Sequence, residues 1–339
     1  MSLPYHDELL AIVNSTKIIS KGAFKWQDRL FSDHKLEEKE LSSYNNTQYD
    51  KINLGEFLYL IYHCRKTLSI FTKQPKISHT TDVLDFTNLL SGNNSGTGTW
   101  ERGWKVIARD SEGNLIVKRN GLMLWVYPSQ FLSDEKDPPV DTVGMIRIGK
   151  EYRYLFQGFY MALGNAYSKI DVKTVHNTLR FYWNINHNYA SALTQLITSE
   201  FNSRLIPFKF KILNDPTKYP RADGAVLYIP KTHYPMSKTA ILQVYRNIGK
   251  YLNPEVPLFA KILAPGLSLA EDPDNGESFG KHRSRILGEA LYNAYFKNIS
   301  SVEAVLAELI DYFIQHKIRL WQPYLNSESV DNYEIVSYA

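Results

Sequence analysis

The chain has 339 residues, of which 44% are hydrophobic and 22% are charged, and its formal net charge is +4. A chain of this length and composition predicts a globular protein with a large apolar core and excludes a wholly disordered one. The small net charge gives no argument for nucleic-acid binding. No apolar run approaches the ~20 residues that span a bilayer, and the first residues lack the cationic start of a secretory signal, so we expect a cytoplasmic protein without a membrane partner.

The first half of the chain predicts helices followed by a small sheet. Apolar spacing predicts helices over residues 5–31 and 54–70. The single cysteine, Cys64, cannot form an internal disulfide, and with His63 alone it does not make a metal site. The glycine-rich SGNNSGTGTWERGW lacks the ending of a phosphate-binding P-loop and predicts a turn or linker. The following WKVIARDSEGNLIVKRNGLMLWVYP predicts three antiparallel strands, which are a candidate surface for peptide recognition.

The second half predicts helices that alternate with strands. KEYRYLFQGFYMALGNAY predicts a helix over residues 150–167 that ends near Gly164 and Asn165. Strands are predicted in TLRFYWNI, PFKFKIL and GAVLYIPK, and helices in NYASALTQLITSEFNSRL and GKHRSRILGEALYNAY. The three strands are expected to pair in an antiparallel sheet. The predicted fold class is therefore α+β, with a helical N-terminal region, a small β-meander and a C-terminal antiparallel sheet with helices.

Alternation along two of these strands places basic side chains on one face of the sheet. Lys209 and Lys211 are predicted to share a face with Arg180 and Tyr182, and Lys261 is expected to join them, with almost no acidic partner. Residues 204–238 also carry seven basic and two acidic residues. Such a face is either solvated, as is common in antiparallel sheets, or it binds an anion such as phosphate.

Five motifs in this half carry a resemblance to a known family. RFYWNI, PFKFKILNDP, YPRADGAVLYIPK, KILAPGLSLAEDP and SFGKHRSRILGEAL occur in this order between roughly residues 150 and 297. The segment resembles the HopA-type effector-domain family, which is found among type III secreted effectors and among enzymes of lanthipeptide-type peptide maturation. It is more distantly similar to the effector phosphothreonine lyases, whose catalytic lysine lies on a Lys-aromatic-Lys strand.

The resemblance to the lyases implies roles for single residues. It places the catalytic base at Lys211 and a supporting cation at Lys209, and it places Arg221 and Arg283 near phosphate-binding arginines. Arg180 and Lys261 complete the expected substrate-binding set.

The proton donor is left open by this comparison. The lyases carry a histidine on the first strand, where this chain has Tyr182. The candidates for the general acid are Tyr182, His187 and His282, the last of which begins a predicted helix.

The function implied is β-elimination of phosphate from a phosphorylated peptide, giving a dehydroamino acid during ribosomal peptide maturation. We expect no metal or cofactor, a phosphorylated precursor peptide and a separate kinase as partners, and no nucleic acid. A catalytically silent phosphopeptide-binding effector or scaffold is the alternative, and a secreted effector stays open as a location. The predicted regions are 1–149 for peptide recognition, 150–322 for the lyase-like domain and 323–339 for a C-terminal tail.

Overall fold

The computed structural model describes residues 5–44, 48–72, 79–166 and 177–334. Within these residues, helices combine with sheets whose strands are mostly antiparallel, so the predicted α+β class is confirmed. None of the helices in the described ranges is long and apolar enough to cross a membrane.

The N-terminal region contains a four-stranded sheet as well as helices. Its elements are α1 (His6–Ser15), β1 (Thr16–Ser20), β2 (Ala23–Trp26), β3 (Arg29–Ser32), α2 (Glu38–Ser43), β4 (Asp50–Lys51), α3 (Leu54–Leu58), a π-helix (Tyr59–His63), α4 (Ser69–Thr72) and α5 (Thr80–Gly92). The prediction of one helix over residues 5–31 is wrong beyond Ser15. Two tight turns fold the rest into strands, because Gly22 and Gln27 adopt positive φ angles of 83° and 54°.

A second sheet contains the predicted meander and two further strands. It consists of β5 (Thr99–Arg109), β6 (Leu115–Arg119), β7 (Leu122–Val126), β8 (Phe131–Leu132) and β9 (Val143–Ile148), in the order β7-β6-β5-β9-β8. The three predicted strands are confirmed as β5, β6 and β7. The sheet has a small core of its own, which includes Trp104, Val117 and Ile146.

The largest sheet is antiparallel throughout and forms the centre of the protein. Its order is β10-β11-β13-β14-β12-β16-β15. The elements of this part are β10 (Glu151–Phe156), β11 (Phe159–Leu163), β12 (Thr178–Trp183), α6 (Ala190–Ser203), β13 (Lys209–Leu213), β14 (Ala225–Pro230), α7 (Tyr234–Ile248), β15 (Lys261–Ala264), β16 (Leu267–Glu271), α8 (Phe279–Phe296) and α9 (Val302–Gln315). Short 3-10 turns cover Pro128–Gln130, His187–Tyr189, Pro216–Lys218, Lys231–His233 and Gly249–Tyr251.

The helix predicted over residues 150–167 is wrong, since β10 and β11 form a hairpin there. Gly158 has a φ of 79° in the turn, and the many aromatic residues of this segment suit a strand. Pairing of β11 with β13 adds the hairpin to the central sheet. Residue 167 lies outside the described residues.

Helices cover both faces of the central sheet. On one face, Phe201 of α6 contacts Phe208, and Tyr234 of α7 stacks on Phe181. On the other face, Tyr182 contacts His63 of the π-helix and Phe279 of α8. One hydrophobic core therefore joins residues from both sides of position 150.

Candidate functional site

The register of the central sheet gathers the predicted basic face. β14 lies between β12 and β13, and both Tyr182 and Lys211 are paired with Val226. Arg180 and Lys209 lie two residues earlier on the same two strands, and both are paired with Tyr228, so they lie on the same face as well. This face is covered by the π-helix and α8 rather than open to solvent, and a pocket remains between the sheet and its cover.

The cover depends on close approach between the N-terminal region and α8. A Cβ atom at Gly288 of α8 would lie 3.1 Å from the backbone nitrogen of Gly55 in α3. A Cβ atom at Gly280 would lie 2.4 Å from the ring of His63. Glycine at these positions lets the π-helix lie directly over the sheet, and π-helical segments are frequent at functional sites.

The pocket has a volume of about 550 Å³ and is lined by both acidic and basic residues. Its polar and charged lining residues are Glu56, Tyr59, His63, Arg180, Tyr182, Lys211, Arg221, Asp223, Tyr228, Glu277, Ser278 and Lys281. Three of the six sequence-predicted cations, Arg180, Lys211 and Arg221, are in this set. The first turn of α8 also faces the pocket, where backbone N–H groups favour an anion.

Lys211 reaches the pocket beside aromatic rings. Its Nζ lies 3.9 Å from the centre of the Phe159 ring and 5.5 Å from that of Phe156. Among the described residues, no carboxylate forms an ion pair with Lys211. Burial lowers the pKa of Lys211 below its usual value, and Arg180 and Arg221 lower it further, although Asp223 opposes them. A lysine in this setting is neutral, and therefore able to accept a proton, in a larger fraction of molecules near pH 7 than an exposed lysine.

Arg221 is held by a carboxylate and a tyrosine. Its Nε and Nη2 both donate to Asp223, the second at 2.9 Å, and Nη2 also donates to the Tyr59 hydroxyl at 2.7 Å. Tyr59 donates in turn to Asp223 at 3.0 Å. Burial alone would raise the pKa of Asp223, but the charge and hydrogen bonds of Arg221 hold it well below its usual range. The guanidinium is thus fixed at the pocket wall.

Arg180 is fixed in a similar way by a carboxylate and an aromatic ring. Its Nε donates to Asp272 at 2.7 Å, and its guanidinium carbon lies 5.3 Å from the centre of the Tyr228 ring. The prediction that the basic face would have almost no acidic partner is therefore wrong. Asp272 and Asp223 supply the counterions, because folding brings the loop after β16 beside Arg180 and the segment before β14 to the pocket wall.

Tyr182 lines the pocket but buries its hydroxyl. The residue is 2% exposed, and the hydroxyl has no hydrogen-bond partner among the described residues. Burial raises the pKa of Tyr182, and the charge of Arg180 opposes this only in part. A phenol with a raised pKa is a poor proton donor.

The remaining candidates lie outside the pocket lining. Arg283 is buried and donates to the carbonyl oxygens of Pro323 and Leu325, at 2.8 and 3.2 Å, so it anchors the segment after α9. His282 contacts this arginine, and burial together with Arg283 lowers the pKa of His282 to about 4. His187 lies against Tyr219, with ring centres 6.1 Å apart.

Two of the predicted lysines are also not among the lining residues. Lys261 pairs with Leu269, which is paired with Phe181, so Lys261 lies on the opposite face from Lys211. There its Nζ contacts Asp331 at 2.6 Å. Lys209 shares the face of Lys211 but does not line the cavity.

The π-helix contributes residues to which the sequence analysis gave no role in this site. His63 is 3% exposed, and its Nε2 lies 3.8 Å from Asp223 Oδ2. Tyr59 stacks on His63 with ring centres 5.3 Å apart. The backbone N–H of Ala222 donates to the carbonyl of Cys64 at 3.0 Å and ties the π-helix to the Arg221 segment. No signal in one sequence links residue 63 to residue 223.

Comparison with known proteins identifies the family. The model of the HopA1 effector protein family matches residues 153–325, slightly more than half of the 339-residue chain. The chain belongs to this effector family. No curated protein sequence matches the chain.

Two solved effector structures from Pseudomonas syringae match the chain. The effector protein from pathovar tomato strain DC3000 is 17% identical, with 80% of this chain and 90% of that chain covered and a TM-score of 0.46. The effector protein from pathovar syringae strain 61 is 12% identical, with 86% and 94% covered and a TM-score of 0.45.

Proposed function

We propose that the protein is a phospho-Ser/Thr lyase that eliminates phosphate from a phosphorylated peptide and leaves a dehydroamino acid. The observation that carries this proposal is the environment of Lys211. Its amine is partly buried, its pKa is lowered, and it faces a pocket whose other walls hold Arg180 and Arg221 in fixed positions. This combination suits removal of a weakly acidic proton beside a bound phosphate.

The reaction needs one base and one proton donor. Neutral Lys211 takes the Cα proton of the phosphorylated residue, and the electron pair of that C–H bond forms the Cα–Cβ double bond. The Cβ–O bond then breaks, and its electrons leave on the bridging oxygen of phosphate. Arg180 and Arg221 bind the phosphate, which carries about −1.5 to −2 charges at neutral pH, and a donor protonates the departing oxygen.

The proposed setting is lanthipeptide-type maturation of a ribosomal peptide in the cytoplasm. The substrate is then a precursor peptide that a separate kinase has phosphorylated. The pocket is about 550 Å³, within the ~300–1,000 Å³ range of small-ligand sites, which suits one phosphorylated side chain rather than a folded partner.

A phosphopeptide-binding effector without catalysis is the second candidate. It is favoured by the counterions Asp223 and Asp272, which neutralise the two arginines, and by Tyr182 at the position of the lyase histidine.

The test is incubation of the purified chain with a phosphothreonine peptide, followed by mass spectrometry and a separate binding measurement. Loss of phosphoric acid from the peptide supports the lyase. Saturable binding of the phosphopeptide without any elimination supports the silent binding protein and contradicts the lyase. Binding of the unphosphorylated peptide with equal affinity contradicts both.

A further inference from the structure

We propose that His63, supplied by the N-terminal region, protonates the departing phosphate oxygen. This inference rests on the proposed lyase function and names the proton donor within the same pocket. It also gives the segment before the family-matched residues 153–325 a direct part in the chemistry.

The position of His63 is the first argument. Its ring lines the pocket together with Lys211, and it lies edge-on to Tyr182 with ring centres 5.4 Å apart. The side chain is 3% exposed, so a proton that it carries is kept from bulk water. The other candidate donors fit less well, since the Tyr182 hydroxyl is buried without a partner among the described residues and His282 lies outside the lining.

The packing around His63 is the second argument. The ring stacks on Tyr59 and lies against Gly280, where no Cβ atom would fit. Its Nε2 is 3.8 Å from Asp223 Oδ2, a carboxylate that stabilises a positive charge on the imidazole. Neighbours thus fix the ring and leave it facing the pocket.

The charges that face His63 determine when it carries a proton. Asp223 favours the protonated form, whereas Arg221 and Arg180 across the pocket and Arg65 after the π-helix oppose it. From α8 the ring meets Gly280 and Phe279, which carry no charge.

Without a bound anion the His63 ring is neutral near pH 7, because burial lowers the pKa of His63 to about 4. A bound phosphate adds negative charge and reverses this balance, so the imidazole takes up a proton when the substrate binds.

The step balances in atoms and charge. Lys211 gains the Cα proton, the Cβ–O bond breaks, and the imidazolium of His63 transfers its proton to the oxygen that leaves. The products are the dehydroamino acid and hydrogen phosphate. Lys211 then loses its proton to solvent after release, and His63 is protonated again with the next substrate.

The decisive experiment compares two leaving groups in the full-length chain. His63→Gln should slow single-turnover elimination from a phosphothreonine peptide by about 10²-fold or more. The loss should be smaller with an O-thiophosphothreonine peptide, because thiophosphate is a weaker base and needs less protonation. His6→Gln, at an exposed histidine, is the matched control and should eliminate like the wild type. Equal losses on both peptides, or no loss, would overturn the role of His63.

Proton uptake on binding gives a second readout that needs no turnover. Calorimetric binding of a non-eliminable phosphonate peptide in buffers of different ionisation enthalpy should show uptake of a proton by the wild type near pH 7, and less uptake by His63→Gln. Absence of uptake by the wild type contradicts the proposal even if the variant does not fold. If the wild type eliminates but His63→Gln is unaffected, the lyase function stands and only this inference fails. If the wild type never eliminates, the lyase function itself fails.

Discussion

Replacement of Lys211 by arginine separates the base from the charge. The guanidinium keeps a positive charge near Phe159, whose ring centre lies 3.9 Å from the lysine Nζ, but it does not lose its proton near neutral pH. A positioned proton transfer contributes about 10²- to 10⁴-fold to a rate. At about 1.36 kcal/mol for each factor of ten, this raises the barrier by roughly 2.7–5.4 kcal/mol.

Binding of the phosphopeptide should survive this change. The arginines that hold phosphate, Arg180 and Arg221, keep their carboxylate partners. The cation near the aromatic rings is retained, and misalignment there costs about 0.5–2 kcal/mol. The expected loss of affinity is therefore up to about thirtyfold. It is smaller than the loss of rate of about 10³-fold at the middle of the expected range.

The assay is single-turnover elimination from one phosphothreonine peptide, followed by mass spectrometry, with binding measured separately by fluorescence anisotropy. Lys209→Arg is the matched control, because Lys209 lies on the same strand and face but does not line the pocket. Its loss should be much milder. A wild-type rate for Lys211→Arg, or equal losses in the two variants, would refute the assignment of Lys211 as the base.

Three further predictions concern the pocket and its cover. Asp223→Asn should lower the free energy of unfolding by about 3–5 kcal/mol, since it leaves Arg221 without its buried counterion. Because the folded pKa of Asp223 is depressed, its contribution is present above about pH 4 and is lost as pH falls. The difference in the free energy of unfolding between pH 7 and pH 3, measured with urea, should therefore be smaller in the variant than in the wild type. An equal difference in both would contradict the stabilising role of the Arg221–Asp223 ion pair. In the His63→Gln variant, which has no imidazolium to lose, the elimination rate should rise with pH through a midpoint below ~10.4, since burial lowers the pKa of Lys211; a midpoint at the ordinary lysine value contradicts this environment. Gly288→Leu should lower both the melting temperature and the elimination rate, because a side chain there meets Gly55 and displaces the π-helix. Wild-type turnover in a folded variant would show that the approach of α3 to α8 is not needed.

Strands and helices with clear local patterns could be predicted from the sequence. Alternation in TLRFYW and KFKIL placed Arg180 with Tyr182 and Lys209 with Lys211, and the register confirms a shared face. The helical spacing that predicted α6 and α8 is equally local. Such patterns succeed because the side chains of one strand or helix alternate with a fixed period whatever the rest of the chain does.

Predictions from the local spacing of apolar residues were wrong where pairing with other segments determines the structure. The apolar residues of 151–163 fit a helix or a hairpin, and pairing of β11 with β13 selected the hairpin. In the same way, the strands after Ser15 form a sheet of their own. The spacing of apolar residues alone does not distinguish a short apolar helix from a strand, because the structure that forms depends on the surface against which the segment packs.

The set of residues that meet in the pocket depends on how distant parts of the chain pack together. Arg180 meets Asp272, which is 92 positions away in the chain, and Tyr59 meets Asp223 across 164 positions. His63 reaches the sheet because Gly280 leaves space for its ring. Contacts between distant residues follow from how whole elements pack, and no periodicity within one segment encodes them.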